Sequence, residues 1–162
     1  MRVRTIMPFL AATAAATVAI AMPCIASAAP LPAPAAATIR TALAAVDAHD
    51  RPAFVDAFAA DATIVDEISP FRFAGTGAAA AWFDRLAAVN RDNGIENERT
   101  HPSAPRDASA EGDAGYAVVP VRIAYRQRGK AIVEDGAWTF ALQNVGGTWK
   151  IAGAAFAPTG TR

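Results

Sequence analysis

Asp66 and Glu67 are adjacent acids at the point where an apolar run gives way to a turn. They lie in the stretch DATIVDEISPFRFAGTGAAAAWFDRL, from Asp61 to Leu86. On a strand, alternate side chains share a face, so Asp66 should face the same way as Ile64 and Glu67 the opposite way. If Ile64 points to a core, Asp66 does too, and only one of the two acids enters a pocket. A carboxylate facing an apolar enclosure holds its proton more tightly than in water and can act as a general base near neutral pH. The competing role for Asp66 is structural, accepting backbone N–H groups of the Ile68–Phe71 turn. His101 is the histidine of the second half of the chain. It could serve the same pocket as a proton shuttle, or stand at its rim, since Pro102 follows it. His49 reads as an exposed residue ending a helix.

Six aromatic residues could wall a pocket for a small apolar or aromatic ligand: Phe71, Phe73, Trp82, Tyr125, Trp138 and Phe140. The same set serves equally well as plain core. Tyr125 and Trp138 suit a wall best, because each joins an apolar body to a polar tip. Arg122 and Arg126 share the opposite face of their strand and read as a solvated or partner-facing surface. Glu134 and Asp135 read as surface charges of a hairpin. The sequence carries no HExxH, no CxxC and no pair of histidines at metal-ligand spacing. It also lacks a G-x-S-x-G elbow, a Walker loop and a GxGxxG turn. Chemistry here is therefore expected to need no metal and no cofactor.

The elements that must position these residues follow from periodicity. Ile39, Ala42, Leu43 and Val46 form one helical stripe, which predicts a helix over 37–48. Asp50 reads as the N-cap of a second helix, with Pro52 in its first turn and Phe54, Val55 and Phe58 on its buried face. A strand over 62–66 follows. Gly75-Thr76-Gly77 then leads into a third helix, with Thr76 as its N-cap and Ala79, Trp82, Phe83 and Leu86 facing inward. Asn93-Gly94 closes it. From there the period changes to two. Residues 96–101 make a polar strand, and 102–112 a loop with room for one short strand. Val119, Val121, Ile123 and Tyr125 alternate with Pro120, Arg122 and Ala124. Trp138, Phe140 and Leu142 share a face of the next strand, and 149–156 is the last. Arg128-Gly129-Lys130 and Asn144 to Gly147 are turns short enough to make the sheet antiparallel. Pro120 cannot donate to a ladder, so it marks an edge or a bulge. Helices followed by strands predict an α+β domain.

The chain has 162 residues, one domain's worth. Its start reads as a signal peptide: Arg2 and Arg4, an uncharged apolar run from Ile6 to Ala21, then small residues Ala26-Ser27-Ala28. Cleavage is expected after Ala28, giving a periplasmic or secreted protein without stable membrane insertion. Cys24 is the one cysteine, and the preceding Ala21-Met22-Pro23 matches a lipobox poorly, so lipidation is the lesser alternative. Without the leader the chain has no thiol and is mildly acidic, which argues against nucleic-acid binding. The expected organisation is a signal peptide over 1–28, a loose Pro/Ala linker over 29–36, the domain over 37–158 and a tail over 159–162.

Four pieces in this order resemble the nuclear transport factor 2-like superfamily: AAVDAHDRPAFVDAFAADATIVDE, GTGAAAAWFDRL, GYAVVPVRIAYRQRGKAIVEDGAWTFAL and WKIAGAAF. The superfamily has a cone-shaped, cystatin-like roll, about three N-terminal helices packed on a curved antiparallel sheet, shared by ketosteroid isomerases and SnoaL-like polyketide cyclases. The DEISPF segment looks most like exported SnoaL-like members. The resemblance implies a ligand pocket between the helices and the concave face of the sheet, and often a homodimer. It places Asp66 where ketosteroid isomerases carry their base, so it implies an acid/base enzyme of isomerase, cyclase or lyase type. It also places their two oxyanion donors at Ala42 and around Thr139, where neither donor type stands. That speaks against steroid isomerisation, since such donors supply much of the rate. A carrier or sensor with the same cone and no chemistry, or a dimeric interaction module, is the alternative.

Overall fold

Helical and alternating periodicity sort the chain into two layers, helices first and strands after. The computed structural model describes residues 29–161. The expected signal peptide and Cys24 lie outside the described residues.

The segment expected to be a loose linker is part of the fold. Ala29–Pro30 forms β1, paired with a later strand, and helix α1 spans Ala33–Asp47, starting ahead of the expected Ala37. Prolines break helix interiors, but Pro34 stands in the first turn, where its missing N–H costs nothing. Ala35, within the same segment, is fully buried. Helix α2 covers Arg51–Ala57, and the Asp50 side chain caps it by accepting from the Ala53 N–H at 3.0 Å. Strand β2 spans Phe58–Val65 and β3 spans Arg72–Ala74. Helix α3 spans Ala78–Asn93. Its N-cap is Gly77 in the left-handed region, not Thr76, and Gly94 ends it in the same conformation.

The second half is β4 (Ile95–Pro102), β5 (Asp107–Glu111), β6 (Ala114–Gln127), β7 (Lys130–Val145) and β8 (Thr148–Thr161). The last strand takes in most of the expected tail; there the Thr159 hydroxyl donates to the Asp135 carbonyl at 2.9 Å. Two-residue turns at Arg128-Gly129 and Gly146-Gly147 have positive φ at both positions, the geometry that matches the twist of a hairpin. Only nearest neighbours are governed by such turns. Strand order is β1-β5-β6-β7-β8-β2-β3, with β4 also on β6. β2 therefore lies beside β8, and parallel to it, so the curved sheet is mostly rather than wholly antiparallel. Among the described residues no helix is long and apolar enough to cross a membrane.

Pro120 sits in a central strand, contrary to the expected edge or bulge. β5 pairs with β6 only as far as Val118, and β4 pairs from Val121 onward. Pro120 fills the gap between them, where no ladder bond is asked of its nitrogen, and its carbonyl accepts from the Ser103 N–H at 2.8 Å. The inward faces pack as the alternation predicts: Ala117, Val119 and Val121 from β6, Trp138, Phe140 and Leu142 from β7, against Ile39, Leu43, Phe54, Trp82 and Phe83 from the helices. Asp47, the last residue of α1, ties the helix layer to β4 by accepting from the Thr100 N–H at 2.9 and 3.1 Å.

Candidate functional site

The helices do not fill the concave face. They leave a cavity of about 160 Å³. A dry cavity on the order of 150 Å³ takes a benzene-sized molecule. Ala42, Leu43 and Val46 of α1, Phe54 of α2 and Trp82, Leu86 and Val89 of α3 form its helical wall. Ile123 and Tyr125 of β6, Trp138 and Phe140 of β7 and Phe156 of β8 form its sheet wall. The aromatic groups are braced against one another. Trp82 stacks on Phe54 with ring centroids 4.9 Å apart and meets Trp138 edge-on at 5.8 Å. Such pairs hold the rings in fixed orientations beyond what burial alone supplies.

Asp66 is buried and faces this cavity, as its parity with Ile64 implied. Trp82 Nε1 donates to Oδ2 at 2.9 Å, and the Ile68 N–H donates to Oδ1 at 3.2 Å. Burial raises the carboxyl's pKa, and these hydrogen bonds oppose the rise. Asp66 therefore satisfies the turn and lines the cone at once. Glu67 also lines the cavity, at its exposed mouth. The expectation that only one of the pair could enter fails because β2 ends at Val65. Alternation does not carry through the turn.

Other expected site residues are placed elsewhere. His101 is exposed and does not line the cavity; its neighbour Thr100 does. Phe71 is 61% exposed, with φ +70°, on the turn that follows Asp66. The Phe71 carbonyl accepts from the Asp66 N–H at 3.1 Å, so its backbone shapes the site while its ring faces outward. Phe73 is buried, in register with Ile64, but belongs to the core and not to the cavity wall. Trp82, Tyr125, Trp138 and Phe140 are brought together in the cavity wall. Thr139 lies between inward-facing Trp138 and Phe140 and takes no part in the lining.

Two acids that the sequence reading does not place at the site also line the cavity. Glu98 of β4 lines the cavity, with Asn90 Nδ2 donating to its Oε2 at 2.8 Å, and burial raises its pKa. Glu134 of β7 lines it too, not the hairpin surface. Its Oε1 is buried and has no hydrogen-bond partner among the described residues. Burial first, then the charge and carboxyl contact of Glu67, push its pKa up to about 7. Counting back by two from Trp138 reaches Gly136 and then Glu134, so the strand's parity held this signal. Glu98 gives none: Ile95 of β4 also lines the cavity, but a register shift between Glu96 and Arg99 breaks the parity between it and Glu98. Burial and the charges of Glu134, Glu67 and Glu98 also raise the Tyr125 phenol. Among the described residues, no group of three His, Cys, Asp or Glu is set to hold a metal ion.

Helices over the concave face of a curved sheet, with a cavity between, define the nuclear transport factor 2-like fold, and this chain has it. Solved structures agree. The chain is similar to a nuclear transport factor 2-like protein of unknown function from Pseudomonas putida at 18% identity, over 75% of this chain and 82% of that one, with a TM-score of 0.63. It is similar to a hexachlorocyclohexane dehydrochlorinase from Novosphingobium barchaimii at 13% identity, over 78% and 88% of the two chains, with a TM-score of 0.66. A ketosteroid isomerase-like protein from Erwinia carotovora matches at 16% identity, over 79% and 95%, with a TM-score of 0.60. No family model matches the sequence, and no curated protein matches it.

Proposed function

We propose that this protein is exported and holds a small, largely apolar ring compound in its cone, where Asp66 moves a proton to or from it. The observation that carries the reading is the cavity of about 160 Å³, apolar over most of its wall, with a buried carboxyl facing into it. An ionised carboxylate offers about four lone-pair sites, so Asp66 keeps acceptor capacity beyond its bonds to Trp82 and Ile68. Its raised pKa gives it basicity suited to work nearer neutrality. Fold neighbours that include a dehydrochlorinase and a ketosteroid isomerase-like protein support a proton-transfer role, with the particular reaction set by the site rather than by the fold. The reading includes a homodimer across the outer face of the sheet, where Ala137, Thr139, Ala141 and Ala155 offer a surface of small residues. The second reading, a carrier without chemistry, is favoured by one fact: both oxygens of Asp66 already have donors.

Exchange of the α-hydrogens of cyclohexanone for deuterium, followed by proton NMR, separates the two. The enzyme reading expects the wild-type protein to accelerate exchange and Asp66→Asn to lose on the order of 100-fold or more of that acceleration. Binding of the ketone without any acceleration would leave the carrier. If neither the ketone nor other small ring compounds bind, the cavity is not a ligand site and both readings fall.

A further inference from the structure

The cone is apolar, yet all its charged groups have one sign. Asp66, Glu67, Glu98 and Glu134 line it, and among the described residues no lysine, arginine or histidine does. These acids come from separate places in the fold: the turn after β2, strand β4 and strand β7. Two of them already have donors, Asp66 from Trp82 and Ile68, and Glu98 from Asn90. Glu134 differs. Its Oε1 is buried with no hydrogen-bond partner among the described residues, and the carboxyl it stands against, Glu67, repels it when both are ionised. A buried acceptor of this kind is costly until a donor arrives. Trp82, Trp138 and Tyr125 line the same cavity, and the face of an aromatic ring attracts a cation through its quadrupole.

We infer that the cone is selective for cations: its ligand is a small amine, with the ring against Trp82 and Trp138 and the ammonium donating to Glu134. An ammonium answers each feature at once. It donates to the Glu134 carboxylate, relieves the repulsion between Glu134 and Glu67, and gains from the aromatic wall. A neutral alcohol supplies the donor but not the charge. A carboxylate of the same size meets four acids and no base, and is rejected. This inference rests on the cavity being a ligand site and adds what kind of ligand it takes.

Three ligands with one ring and different head groups test it by isothermal titration calorimetry on the full protein at pH 8, where Glu134 is mostly ionised: benzylamine, benzyl alcohol and benzoate. The groups that face Glu134 are Asp66 and Glu67 from the turn after β2, Glu98 from β4 and Tyr125 from β6; His49 lies near enough to influence Glu98. Benzylamine is expected to bind at least tenfold more tightly than benzyl alcohol, and benzoate more weakly than either. Glu134→Gln is expected to weaken benzylamine at least tenfold, to about the affinity that the same variant has for benzyl alcohol. The wild-type comparison stands alone if that variant fails to fold. Alcohol binding as well as the amine, or benzoate binding best, overturns cation selectivity and leaves the ligand site standing. An amine preference that survives Glu134→Gln removes Glu134 as the receiving group. Failure of all three to bind overturns the ligand site as well.

Discussion

Glu134 holds a proton more tightly in the folded protein than it would in the unfolded chain, and this makes stability depend on pH with a definite sign. Its pKa is raised from 4.5 to about 7, so its unfavourable effect is absent below about pH 4.5 and grows as pH rises through 7. A change of that size corresponds to at most about 3 kcal/mol. Because the group is partly solvated, screening should reduce it to roughly 1–2 kcal/mol. Glu134→Gln should therefore be more stable than wild type at pH 8 by that amount and nearly equal to it at pH 5, as read from urea midpoints at the two values. Equal midpoint differences at both would show that the carboxyl is not strained. Asp66 and Glu98, both also raised by burial, give the remaining acid wall the same sign. At this scale the sequence was partly legible. Parity found Asp66, and residue type found Trp82, Tyr125 and Trp138. Parity also held Glu134, hidden because a Glu-Asp pair near a turn resembles ordinary surface charge. His101 attracts by type alone, and Phe71 by its alternation with Phe73, which does not hold because Phe71 lies on the turn before β3 begins at Arg72.

Strand β7 shows how an element carries a site. Its inward positions run Glu134, Gly136, Trp138, Phe140 and Leu142, so one strand supplies an acid, a gap and an aromatic wall. The gap matters. A Cβ on Gly136 would lie 2.6 Å from the ring of Phe156 and 3.0 Å from the Ala157 carbonyl oxygen. Phe156 lines the cavity and packs on Trp138 at 5.2 Å, so the ring cannot retreat without disturbing that wall. Gly136→Ala is expected to cost about 1–3 kcal/mol, the usual range for an overpacked core. It should also weaken binding of any ring compound by displacing Phe156. A variant as stable as wild type with unchanged affinity would show that the wall is soft there. Helices and long strands were legible because each repeats its pattern over several turns or pleats. The start of α1 was not, because proline reads as a breaker until its position in the first turn is known. The parallel contact of β2 with β8 was not legible either, since partners so far apart in the chain leave no local signal.

At the scale of the whole molecule, the residue expected to follow the leader already has a place in the sheet. Ala29 is already in β1, in register with Ala110 of β5, and Leu31 packs against the core. Cleavage after Ala28 would leave an N-terminus at the edge of a sheet, with no loose linker between. Native mass spectrometry of the protein recovered from the host's periplasm or medium is expected to show a chain beginning at Ala29 and a dimer's mass. A chain still carrying Met1 would contradict export, and a monomer would contradict the use of the outer sheet face. The cavity itself has a consequence for synthesis. Ala42, near the beginning of the domain, and Phe156, near its end, line the same space, and β2 finds its parallel partner only in β8. A ribosome must therefore make almost the whole chain before any pocket exists, so no ligand can guide the early segments as they emerge.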